Sequence, residues 1–185
     1  MKLQDTLSGQ EKELESTGNV RIYLCGVTVY DESHIGHART IIVFDVLRRY
    51  LESLGQKIEF IQNFTDVDDK IILRAKRENI RASAISSRYI QHYHNDFDRL
   101  NVLRATKFPK ATEHIQDMQE FIENLLKKEL AYTTKNGVYF RVSKFLDYGK
   151  LSKKNIGDLV VGARVEEDEE KEVGIDFALW KFSKD

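Results

Sequence analysis

Apolar side chains recur in two different periods over the first hundred residues. Residues 20–25, VRIYLC, are rich in β-forming side chains with a rough two-residue alternation, which predicts a strand running into Gly26. A polar, turn-like stretch, VTVYDESHIG, follows. Then Ile41, Phe44, Leu47, Leu51 and Leu54 fall three and four apart, with Arg48, Arg49 and Glu52 between them. That is one apolar face of a helix, and Gly55 is its expected stop. In residues 57–64, KIEFIQNF, the side chains of Ile58, Phe60 and Gln62 alternate with Glu59, Ile61 and Asn63, a second strand. Residues 66–79 read as a second helix. Strand–helix–strand–helix is the order of a parallel α/β sheet with a right-handed crossover.

The pattern changes beyond residue 82. Residues 82–101 and 112–130 form two amphipathic helical patterns separated by the TKFPK loop around Pro109, the only proline. Lys135-Asn136-Gly137 precedes VYFRV (138–142), a hairpin signal. Residues 143–176 are polar and irregular, and the acidic run EEDEEKE (166–172) is expected as an exposed loop that repels nucleic acid. DFALWKF (176–182) has the composition of a strand or a short buried helix.

Composition narrows the picture. With 41% hydrophobic residues among 185, the chain can bury a true core. The charges balance, 29 Lys+Arg against 30 Asp+Glu, which excludes a globally basic coat for nucleic acid. One cysteine excludes an internal disulfide and a cysteine-only zinc site within these residues. The uninterrupted apolar run from Ile41 to Phe44 closes at Asp45, too short for a membrane span. No secretory signal opens the chain. The expectation is a soluble, cytoplasmic protein.

The densest chemistry lies at 25–39, CGVTVYDESHIGHAR: a strand ending in a thiol and a glycine, a loop, and two histidines at a helix start. Unpaired N–H groups and a partial positive charge at such an end favour phosphate. His34 and His37 add two donors able to follow charge onto phosphate oxygens, and Gly36 has no side chain to hold off a base or ribose. Neither a dinucleotide fingerprint nor a phosphate-binding loop of the GxxxxGK[ST] kind is present. A purely structural alternative makes His34 a helix cap and His37 a surface residue.

His34-Ile35-Gly36-His37 is the signature of class I aminoacyl-tRNA synthetases. With YLCGVTVYDESHIGHARTIIVFDVLRRYLESLG and FIQNFTDVDDKII around it, the chain resembles the amino-terminal catalytic region of cysteinyl-tRNA synthetase. The resemblance extends through LQDTLSG at the start, ATEHI (111–115), YGKLSKKN (148–155), GARV (162–165) and DFALWKFSK (176–184). It implies ATP, with magnesium, bound along His34, Ile35, Gly36 and His37, with both histidines catalytic. It implies an amino-acid pocket including Gly26, Thr28 and Thr65, and cysteine and tRNA(Cys) as partners. Cys25 matches the family's first zinc ligand. Zinc binds a substrate thiolate far better than a serine hydroxyl, which is a physical basis for choosing cysteine.

Each residue also has an alternative role. Cys25 can be a buried strand-end thiol, Thr28 a turn residue, and Thr65 a helix N-cap ahead of Asp66, Asp68 and Asp69, whose carboxylates suit a helix start better than magnesium. His92 and His94 point to different faces of a helix and make no metal pair. His114 matches a family element near the active site without an assigned role. Lys144, Lys150, Lys153 and Lys154 form a basic stretch that can touch a tRNA acceptor stem or simply be solvated. The family's KMSKS loop and its further zinc ligands are not among the 185 residues. Lys181-Phe182-Ser183-Lys184 belongs to the LWK element instead.

The expected fold is therefore α/β, a parallel-sheet, Rossmann-like class I half-domain with a helical and β connective insertion. The expected division is 1–104 for the first half of the catalytic domain, 105–175 for the insertion, and 176–185 returning to the catalytic sheet. The expected function is a truncated or split cysteinyl-tRNA synthetase-like protein, inactive alone, with an incomplete zinc site and a partner chain able to supply the rest. Two alternatives stand beside it: a non-catalytic nucleotide-, tRNA- or partner-binding module, and a cysteine–amino-sugar ligase of the same superfamily.

Overall fold

The computed structural model describes residues 1–14, 18–154 and 171–182. Among them are the strands β1 (Lys2–Asp5), β2 (Gln10–Glu13), β3 (Asn19–Leu24), β4 (Lys57–Gln62), β5 (Ala131–Thr133), β6 (Gly137–Phe140) and β7 (Phe177–Lys181). The helices are α1 (Ile35–Ser53), α2 (Asp69–Glu78), α3 (Ala82–Arg99) and α4 (Ile115–Lys127). The chain divides into two compact units, Glu15–Ile115 on one hand and Met1–Leu14 with Gln116–Asp185 on the other. No helix among the described residues is long and apolar enough to cross a membrane.

In the unit Glu15–Ile115, β3 and β4 pair in parallel from Asn19↔Lys57 to Leu24↔Gln62, with α1 as the crossover. Pairing resumes beyond both strands at Thr28↔Thr65, where Thr65 N–H donates to Val27 O at 3.1 Å. The other edge of β4 takes residues 107–110 through the parallel bridges Ile61↔Lys107 and Phe64↔Lys110. One hydrophobic cluster packs against this sheet. Leu24, Phe60 and Phe64 pack with Ile41 of α1, Ile71 and Ala75 of α2, and Ile85, Tyr89, Tyr93 and Phe97 of α3. The four-residue spacing on α3 keeps one face inward, and each fully buried Ile or Phe contributes about 1.5–3 kcal/mol. Gly55, at φ +81°, takes the left-handed conformation that ends α1.

Several local expectations change. The second helix starts at Asp69, not residue 66, and its N-cap is Asp68, whose Oδ1 accepts from Lys70 N–H at 2.9 Å. Thr65 is not the cap, because its backbone is taken by the pairing with Val27 and Val29. Asp66 turns elsewhere and accepts from both the backbone N–H and the hydroxyl of Thr112. Leu54, expected inside, is exposed. It completes a second apolar stripe on α1, with Ile35, Ile42, Val43, Val46 and Tyr50; Val43 is 59% and Val46 60% exposed. The helix is apolar on two faces, and only one is covered by the described residues.

In the other unit, β1 and β2 form an exposed antiparallel hairpin from Lys2↔Glu13 to Asp5↔Gln10. A second antiparallel sheet has the order β5–β6–β7. The expected return of 176–185 to the parallel sheet is not what its described residues do: Phe177–Lys181 pairs with Gly137–Phe140 instead. Asp176, buried just ahead of β7, explains the choice. Its carboxylate accepts from the Tyr132 hydroxyl of β5 and from Val142 N–H, both at 2.9 Å, which docks the strand on the hairpin. Gly137 permits the close approach, since a Cβ there would lie 2.2 Å from Trp180 O. The strings at 155–165, most of the acidic run (166–170) and Ser183–Lys184 lie outside the described residues.

Candidate nucleotide and amino-acid site

The loop between β3 and α1 and the segment after β4 bring the sequence-derived candidates into one region of the unit Glu15–Ile115. Cys25, the residue after β3, is exposed, which overturns its reading as a buried thiol. Its Sγ lies 3.9 Å from Gly26 O. Among the described residues no group of three or more His, Cys, Asp or Glu side chains is placed to hold a metal. One thiol does not make a zinc centre, so the residues described here do not by themselves fit that ion.

Gly26 is fixed by a residue that sequence reasoning passed over. Its N–H donates to Asn63 Oδ1 at 2.8 Å, and the same oxygen accepts from the Tyr23 hydroxyl at 2.9 Å. Asn63 Nδ2 lies 3.5 Å from Thr65 Oγ1. One amide thus ties the end of β3 to the segment carrying Thr65, while Thr28 and Thr65 face each other across the resumed pairing. The available signal was a polar residue at the end of a strand whose neighbours alternate in and out, but alternation alone does not name its partner.

The two histidines are organised by the helix they begin. His34 is the N-cap of α1, in an extended conformation, and its Nδ1 accepts from Gly36 N–H at 3.1 Å. His37 returns the favour: its Nδ1 accepts from His34 N–H at 3.3 Å. The imidazoles stack with centroids 3.7 Å apart and planes 19° from parallel. Because each Nδ1 is an acceptor, each ring carries its hydrogen on Nε2. Burial, and secondarily the adjacent His34, hold His37 below the usual imidazole range, which favours its neutral form. The capping alternative is therefore met for His34, and capping leaves an Nε2–H donor on each ring. Gly36 serves this arrangement directly, since a Cβ would lie 2.9 Å from His34 Cε1. Ile35 is the first helical residue, and its side chain is exposed. With the Gly36 N–H engaged by the His34 cap, the two rings at this positive helix end make the donor set for an anion.

The remaining candidates lie apart from this set. His92 Nδ1 pairs with Glu32 Oε1 at 2.7 Å, while His94 packs edge-on against Phe64 and Phe108, and burial lowers its basicity. Asp68 caps α2 and Asp66 binds Thr112, so these two carboxylates have structural partners. His114 closes the short 3₁₀ helix Ala111–His114. Lys150 faces Asp147, and Lys153 donates to Leu7 O.

A parallel strand pair and a crossover helix begun by a pair of capping imidazoles define an α/β half-fold. Among solved structures, Mycobacterium tuberculosis methionyl-tRNA synthetase in complex with methionyl-adenylate is similar in fold, with a TM-score of 0.55 at 18% identity over 66% of this chain and 25% of that one. The model of the class I (C) tRNA synthetase catalytic domain matches residues 11–185, and the chain belongs to that family. The cysteine–tRNA ligases of Caldicellulosiruptor saccharolyticus and Aquifex aeolicus are 54% and 51% identical over all of it. The chain spans about two fifths of the length of these curated relatives, 40% and 38% respectively.

Proposed function

We propose that these residues are the amino-terminal catalytic portion of a cysteine–tRNA ligase, a cytoplasmic protein that activates cysteine with ATP and magnesium and passes it to tRNA. The carboxylate of cysteine attacks the α-phosphorus of ATP and the bond to pyrophosphate breaks; a hydroxyl of the terminal ribose of tRNA then attacks the acyl carbon, and the acyl–phosphate bond breaks with release of AMP. Such a transfer asks little covalent chemistry of the protein. Positioning and charge stabilisation carry it.

The observation that carries the reading is the stacked imidazole pair at the start of α1. Each Nδ1 is engaged by the helix cap, so each Nε2–H is available to phosphate oxygens without prior loss of a proton. Around it, Ile35 and Gly36 line the nucleotide, and Gly26, Thr28 and Thr65 orient the small zwitterion. Cys25 would be one ligand of a zinc centre, and the described residues supply no others beside it. Residues 1–104 form the first half of the catalytic domain, 105–175 the connective insertion, and 176–185 the segment after it.

The uncovered stripe on α1 favours a second element of the reading, that further protein packs there, whether from the same polypeptide or a partner chain. The test is adenine-nucleotide titration of the chain, followed at His34, Gly36 and His37 by NMR, alongside cysteine-dependent ATP–pyrophosphate exchange. Localised shifts at those three residues with little or no exchange are expected. Nucleotide binding that bypasses α1 would overturn the site, and robust exchange would overturn the incompleteness.

A further inference from the structure

The turn that delivers His34 to α1 is held from outside. The last bond from this loop to the strand segment is Val29 N–H to Thr65 O at 3.3 Å, after which Tyr30, Asp31 and Glu32 are each gripped by a side chain of α2 or α3. Arg74 of α2 uses one terminal nitrogen for two partners, Tyr30 O at 3.1 Å and Asp31 Oδ1 at 2.9 Å. Its Nε donates to Glu78 Oε1 at 2.8 Å, and Glu78 in turn pairs with Arg88 at 2.7 Å. The guanidinium lies over the ring of Tyr89, 4.8 Å from its centroid, so its plane is held as well as its charge. One residue further along the loop, Glu32 reaches His92 of α3 at 2.7 Å. Lys70 stands 5.0 Å over the Tyr30 ring.

We propose that Arg74 is a positioning residue for the imidazole pair, fixing the 30–32 turn against α2 so that His34 enters α1 in the geometry its cap requires, with Glu32–His92 as a second strap. A guanidinium suits this place because one planar fork spans a carbonyl, a carboxylate on the loop and a carboxylate on its own helix. Lysine, a point donor on a flexible stem, cannot hold all three. The part of the inference that concerns nucleotide affinity rests on the nucleotide-site reading above; the part that concerns the imidazoles does not.

The experiment compares wild type with Arg74→Ala, Arg74→Lys and Asp31→Asn, and uses Arg88→Ala as a control that breaks the Glu78 pair without touching the turn. Ring ¹⁵N spectra report the His34 and His37 tautomers, and titration with AMP reports the site. Wild type should show both rings fixed as Nε2–H tautomers. Arg74→Ala should average the His34 ring signals between tautomers and weaken AMP binding about tenfold, since small displacements of positioned groups cost one to two orders of magnitude. Arg74→Lys should fall between, and Arg88→Ala should leave both readouts at wild-type values whatever it does to the melting temperature. If Arg74→Ala does not fold, Asp31→Asn, which removes the ion pair but keeps an oxygen for Glu32 N–H, should move both readouts in the same direction. Folded Arg74 and Asp31 variants with wild-type ring spectra overturn the proposal. Wild type that binds no AMP overturns the nucleotide reading instead, and the ring spectra still decide the role of Arg74.

Discussion

Asn63 and Gly26 meet twice: the Asn63 side-chain oxygen accepts from Gly26 N–H at 2.8 Å, and a Cβ on Gly26 would fall 1.5 Å from the Asn63 carbonyl oxygen. No rotamer change relieves a clash with backbone. Gly26→Ala should therefore force β3 and the 63–65 segment apart and cost about 1–3 kcal/mol or more. Asn63→Ala should cost about 1–3 kcal/mol by leaving the Gly26 N–H without its partner. Urea unfolding of the two variants measures both losses. A Gly26→Ala variant as stable as wild type would show that the two segments do not approach in this way.

The stacked histidines set a pH dependence. The folded chain holds His37 below its ordinary value of 6.5, through burial first and His34 second. The unfolded chain therefore takes up a proton more readily, and folding stability rises with pH across that window. The contribution is complete above about pH 6.5 and is lost as pH falls below it. His37→Gln keeps an acceptor for the His34 N–H without a titrating ring. The expected result is that wild type loses melting temperature relative to His37→Gln between about pH 8 and pH 5.5. His94 shifts in the same direction in both proteins and cancels in the comparison.

Not all of this was legible in the sequence. Periodicity located β3, α1, β4 and α3 to within a few residues, because one face of each is buried against the same core. It misplaced the start of α2, because Asp66 is claimed by Thr112, 46 residues away, and a local pattern holds no record of that. Leu54 lies in register with the core face of α1 yet stays exposed, since the helix is apolar on two sides and sequence does not say which is covered. The histidine pair could be found from its motif. The tautomers could not, because they depend on φ and ψ at His34.

Asp176 is the buried carboxylate of the antiparallel sheet. Asp176→Ala leaves the Val142 N–H without its acceptor, at about 1–3 kcal/mol, and removes the bond the Tyr132 hydroxyl donates, at a smaller cost because that oxygen still accepts from Glu172 N–H. Asp176→Asn keeps an oxygen for Val142 and should cost less. Trp180, the single tryptophan, sits in β7 and reports the loss by fluorescence during unfolding. Equal stability of Asp176→Ala and wild type would count against the docking of β7 through this side chain.

The exposed stripe on α1 can be made polar without touching the core. Val43→Lys and Val46→Lys together should reduce self-association in sedimentation and the binding of a hydrophobic dye, with a change in stability within about 0.5 kcal/mol. Loss of folding in the double variant would mean that this face is already packed.

The docking of β7 on β6 also has a consequence on the ribosome. Tyr132 and Asp176, which anchor that sheet, stand 44 residues apart. At about 5–20 residues per second, the hairpin is made roughly two to nine seconds before the strand that covers its outer edge. During that interval the backbone donors and acceptors of Gly137–Phe140 are available to any extended segment nearby. Slowed translation past residue 140 should lengthen the window for a wrong partner, and rapid passage through 141–181 should protect the nascent chain.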